Sequence, residues 1–113
     1  MLAAFDIDGT LDADPPSFLT IMQALRACGQ RVAILTGCGG EEPTPEDIAE
    51  KTDYLAKLGF SEAYDQLVVL GNPTDELKAE WLKDNGADVL FDNSKKNAKA
   101  SPVLTLVPWK TRV

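Results

Sequence analysis

Five short apolar runs recur along the chain, separated by segments of helical character. They are Leu2–Asp8, Val32–Thr36, Leu67–Leu70, Val89–Phe91 and Val103–Val107. Runs that are apolar throughout, rather than alternating with polar residues, belong to strands covered on both faces. Strands of that kind separated by helices build a parallel sheet with helices on either side. The expectation is therefore an α/β fold: a three-layer α/β/α, Rossmann-like domain over residues 1–113, with a five-stranded, mostly parallel sheet.

The helices between the runs announce themselves by their ends. Ser17 reads as the cap of a helix whose apolar positions Phe18, Ile21, Met22, Leu25 and Cys28 follow a 3.6 period and stop at Gly29. Thr44 and Asp47 form a capping-box pattern with Pro45 in the first turn, opening a helix to about Leu58. Thr74 reads as the cap of a third helix through Lys83, with Trp81 on its inner face. A short helix spans Ser94–Lys99. About ten residues join Asn93 to Pro102, a little short for a parallel crossover, so the direction of the last strand stays open.

Composition excludes several classes. At 113 residues, 44% apolar and 26% charged, the chain has room for one core and is not disordered. No apolar stretch approaches the ~20 residues of a spanning helix, and the first residues carry no leader pattern, so a cytoplasmic protein with no membrane partner is expected. Cys28 and Cys38 make no disulfide framework, and Cys38 reads as a small loop residue. With no histidine, imidazole-based catalysis is out. The net charge of −7 disfavours general nucleic-acid binding, yet its distribution is uneven. Residues 1–92 hold six basic and all 18 acidic residues, a balance of −12. Residues 93–113 carry +5 through Lys95, Lys96, Lys99, Lys110 and Arg112.

In open parallel sheets ligands sit beyond the carboxyl ends of the strands, and polar residues concentrate there. Asp6 and Asp8 alternate onto one side of the first strand end, with Gly9 allowing a sharp exit. Two acids so close call for a hard cation such as Mg²⁺, the plain alternative being a charged turn. Thr36 and Gly37 offer a hydroxyl and free backbone N–H groups to a phosphate. Lys78 could neutralise phosphate oxygens, or be a solvated helix lysine like Lys83. Asp92 and Asn93 end the fourth strand with further oxygen ligands, though Asp92 could equally cap the following helix.

The ordered set resembles the haloacid dehalogenase-like superfamily of phosphohydrolases. Asp6–Leu11 is similar to its first motif, Thr36-Gly37 to its second, Lys78 to its third, and Phe91–Asn93 with Asn97 to its fourth. The resemblance implies a Mg²⁺-dependent phosphatase in which Asp6 forms an aspartyl-phosphate and Asp8 serves as general acid and base. Asp6, Asp8 and Asp92, with Asn93 beside them, would hold Mg²⁺, while Thr36, Gly37 and Lys78 grip the phosphoryl group. Asn93 and Asn97 stand where the family usually offers a second acid. The gaps after the first and third strands, about seven and four residues, leave no room for a cap domain. An open site would suit a phosphorylated macromolecule or nucleotide, including a nucleic-acid end, met by a rim of Lys95, Lys96, Trp109 and Lys110. The alternatives are a small-metabolite phosphatase closed by oligomerisation and a catalytically weak Mg²⁺/phosphate-binding module; a monomer or small homo-oligomer fits each.

Overall fold

The computed structural model describes residues 1–108; Trp109, Lys110 and Arg112 lie outside the described residues. Five strands alternate with four helices: β1 (Leu2–Phe5), α1 (Pro15–Ala27), β2 (Arg31–Gly37), α2 (Pro45–Leu58), β3 (Gln66–Leu70), α3 (Thr74–Asp84), β4 (Val89–Phe91), α4 (Lys95–Ala100) and β5 (Leu104–Leu106). They form one sheet in the order β3-β2-β1-β4-β5, with every pairing parallel. The last strand, whose direction the sequence leaves open, is thus parallel to the rest. Among the described residues no helix is long and apolar enough to cross a membrane.

The two faces of the sheet bury separate clusters. On one, Ala3, Phe5, Val32 and Ile34 meet Phe18 and Met22 of α1 and Leu55 of α2. On the other, Ala4, Ala33, Leu35 and Leu90 meet Leu82 of α3, with Trp81 and Val103 half-buried at its margin. Phe5 and Phe91 stack at 4.5 Å between centroids, and Phe18 stands edge-on to both at 6.1 Å. Such pairs add about 0.5–1.5 kcal/mol each beyond their buried area, and they brace the ends of β1 and β4.

Three element boundaries differ from the sequence expectation. The first strand stops at Phe5: the Asp6 N–H still bonds the Phe91 carbonyl at 2.9 Å, but Gly9, at φ 76°, turns Ile7–Leu11 into a compact exit. The first helix starts earlier, at Pro15. Asp14 caps it, receiving the Ser17 hydroxyl at 2.8 Å, and the two prolines fit a first turn whose N–H groups need no intrahelical partner. Thr74 is the first residue of α3, not its cap; its hydroxyl bonds the Gly71 carbonyl and the Asn72 side chain instead. The box at Thr44 and Asp47 is present as expected, and Gly59, at φ 94°, ends α2.

The amino edge of the sheet is closed by two carboxylates. Asp65 accepts the Val32 N–H at 2.8 Å and Arg26 at 3.1 Å. Asp88 accepts the Leu2 N–H at 2.8 Å. Each satisfies a strand-end donor that would otherwise lack a partner.

Candidate functional site

The chain runs outward from β1 to β3, then crosses back to place β4 on the other side of β1. The β1/β4 junction is therefore the point where strand order reverses, and a crevice opens there at the carboxyl edge. Asp6 leaves β1 on one side and Asp92 leaves β4 on the other.

Lys78 joins them. Its Nζ donates to Asp6 Oδ1 at 2.9 Å and to Asp92 Oδ2 at 2.8 Å, and all three side chains are buried. Lys78 lies one helical turn before Leu82 and shares its core-facing stripe, so α3 itself drives the ammonium inward. An ammonium carries three N–H donors, and two go to carboxylates. Both Asp92 oxygens have partners: Oδ1 accepts the Ser94 N–H at 2.9 Å, and Oδ2 also accepts from Asn97 Nδ2 at 2.9 Å. Asp6 is less well served. Burial pushes its carboxyl up to about 6; the Lys78 charge opposes the rise and the Asp92 charge adds to it.

The other expected residues are not part of this trio. Asp8 is exposed and faces α2, where Lys51 Nζ lies 3.6 Å from its carboxylate. The exit at Gly9 separates the two aspartates that simple alternation would have placed together. Asn93 is exposed, and its side chain lies over Gly9, where a Cβ would overlap it; its N–H bonds the Thr10 hydroxyl at 3.1 Å. The glycine at 37 makes room for Thr74, whose Cγ2 would stand 3.0 Å from a Cβ there. Thr36 is buried at the end of β2, and its hydroxyl has no hydrogen-bond partner among the described residues. Lys95, Lys96 and Lys99 are exposed on α4. Among the described residues no three acidic or cysteine side chains gather as a metal cluster. Of the expected ligand set, Asp6 and Asp92 come together around Lys78, whereas Asp8 faces Lys51 and Asn93 lies over Gly9.

Sequence reasoning grouped Asn97 with Asp92 without foreseeing the bond between them, and it missed Tyr54. The Tyr54 hydroxyl donates to Asp12 at 2.8 Å, and Asp12 also accepts the Gly9 N–H at 2.7 Å, tying the β1 exit to α2. No periodic signal marks either contact.

No family model matches this chain, and no curated protein does. Among solved structures it is similar to a universal stress protein in complex with cAMP, at 15% identity and a TM-score of 0.59, over 95% of this chain and 94% of the other. That likeness is one of architecture: a compact α/β domain with a five-stranded, all-parallel sheet.

This neighbour stands in a different superfamily from the haloacid dehalogenase-like enzymes, and it overturns the resemblance read from the motifs. The expected aspartyl-phosphate phosphatase falls with that resemblance, as does its description as a capless hydrolase. The physical reason lies in the topology. Any parallel sheet of this kind leaves polar residues and glycines at its carboxyl edge, so short motifs there recur without shared ancestry. Here the nominal acid-base residue, Asp8, is turned towards Lys51 instead of Asp6.

Proposed function

We propose that the chain binds the phosphate of a nucleotide-class ligand at the β1/β4 crevice. The observation that carries this reading is Lys78, a buried ammonium at the switch point with two of its three N–H donors committed to carboxylates. The third is left for an incoming oxygen. Thr36 supports it, since a buried hydroxyl without a partner costs about 1–3 kcal/mol and a ligand oxygen would relieve that cost. The solved neighbour of the same architecture holds a cyclic nucleotide.

Charge decides what must accompany the phosphate. Asp6, Asp92 and Lys78 together carry −1 when Asp6 is ionised, which repels a bare anion. Mg²⁺ is commonly held by one or two carboxylates together with a ligand's own phosphates. Both Asp92 oxygens already accept hydrogen bonds, whereas Asp6 Oδ2 has no side-chain partner among the described residues. Asp6 therefore fits a Mg²⁺ ion brought by the ligand. Bound there, the ion would neutralise the carboxylate facing the phosphate.

Calorimetric titration with cAMP, AMP and ATP, each with and without Mg²⁺, tests the reading. Saturable binding that strengthens with Mg²⁺ and weakens at least tenfold in Thr36→Val is the expected result. Heats indistinguishable from buffer for all three nucleotides would end it.

A further inference from the structure

We propose that the open edge of β5 docks an extended segment of another protein, alternating apolar and acidic residues, as a sixth strand. Nothing in this inference depends on the ligand of the β1/β4 crevice.

Among the described residues β5 pairs with β4 alone and ends the sheet. The Asp92 N–H bonds the Leu106 carbonyl, so Leu106 and Leu104 turn their backbone groups towards β4. In a parallel pair a residue's N–H and C=O point the same way, and neighbours alternate. Thr105 therefore presents both groups outward, with no backbone partner among the described residues. Natural edges are usually blunted by charge, proline or a covering loop. Leu104, Thr105 and Leu106 carry no charge, and prolines stand only outside the strand, at 102 and 108.

The faces of β5 say what a partner must offer. Leu104 and Leu106 lie on the face of Val89 and Phe91, opposite α3, where no helix covers them. They are 66% and 43% exposed, and Val107 is 42% exposed. The other edge strand, β3, shows no such residue: Leu67–Leu70 are all half-buried. The opposite face of β5 belongs to the α3 and α4 layer, and α4 carries Lys95, Lys96 and Lys99. All three are exposed, and none is in an ion pair among the described residues. The first 92 residues carry −12, so this is the basic region of an acidic molecule.

An added strand alternates its side chains between those two faces. Apolar residues at every second position would cover Leu104 and Leu106. The acidic residues between them would turn towards the lysine-bearing layer. Main-chain bonds to Thr105 would supply affinity, as in other strand-addition complexes. A second copy of this chain suits the edge less well, because two-fold pairing through β5 would bring like-charged α4 helices towards each other.

The probe is a synthetic nine-residue peptide alternating glutamate and valine, compared with its lysine–valine counterpart. NMR titration of the full chain should shift the amides of Val103–Val107 with the acidic peptide alone, and added salt should weaken the effect. Thr105→Pro removes the outward N–H without touching a β4 bond and should abolish binding. Leu104→Glu and Lys99→Glu, both at exposed positions, should each weaken it about tenfold, and they decide the matter should Thr105→Pro fail to fold. Equal binding of both peptides, no binding of either, or wild-type affinity in Leu104→Glu overturns the proposal. So does sedimentation showing a dimer that Leu104→Glu dissociates, since the edge would then belong to a second copy.

Discussion

Lys78 and Asp92 meet at 2.8 Å, both buried. An ammonium at that depth is held by its partners, and removing it exposes them to each other. Lys78→Met should therefore destabilise the fold by about 3–5 kcal/mol, the usual effect of breaking a buried pair. The double variant Asp6→Asn/Lys78→Met should be more stable than Lys78→Met alone, because it removes the repulsion between Asp6 and Asp92. Urea denaturation of the set measures both. Strictly additive losses would show that Lys78 is not balancing Asp6.

Asp6 gives the fold a distinctive pH response. A carboxyl raised from 3.8 to about 6 keeps, when folded, a proton that the unfolded chain has already released. Its contribution is fully present below the unfolded value, falls as pH rises through that window, and is constant above about pH 6. The difference is on the order of 3 kcal/mol. Asp6→Asn does not titrate, so its stability relative to wild type should improve by that amount between pH 4 and 7. Parallel stability curves for the two proteins would contradict the assignment.

Thr36→Val separates folding from binding. Valine keeps the shape and removes a buried hydroxyl that has no partner. The variant should melt higher than wild type, by the equivalent of about 1 kcal/mol, while losing affinity for a phosphate ligand. A lower melting temperature would mean that the hydroxyl is satisfied in solution.

Gly71 tests the loops that flank the end of β3. A Cβ there would overlap the Glu41 carbonyl, and the loops are joined by Asn72 N–H to the Gly40 carbonyl at 2.9 Å. Gly71→Ala should cost at least about 1 kcal/mol through this overlap, seen as a lowered melting temperature. An unchanged melting temperature would mean that the 38–42 segment moves aside freely.

Much of this fold was legible because strands buried on both faces must be apolar throughout; all five apolar runs hold strands, and the Thr44 box marks α2 without ambiguity. Pro15 and Pro16 hid the start of α1, because proline breaks a helix interior yet suits its first turn. The site was legible in part. Lys78 stands where the helical period calls for an apolar residue, four before Leu82, and that misfit was the available signal. The orientation of Asp8 was not readable, since β1 ends at Phe5 and the alternation of a strand does not reach residue 8. Nor do the short motifs name a family, since the fold they sit on is shared with a universal stress protein.

The aspartates at the amino edge have a different consequence. Asp65 and Asp88 each close a strand-end N–H, while Asp6 and Asp92 at the carboxyl edge share Lys78. The molecule thus keeps its structural wiring and its exchangeable chemistry about a strand length apart. A designer could rewrite the exits at 6–12, 71–73 and 92–94 to accept another ligand while the opposite rim continues to hold the strands in register.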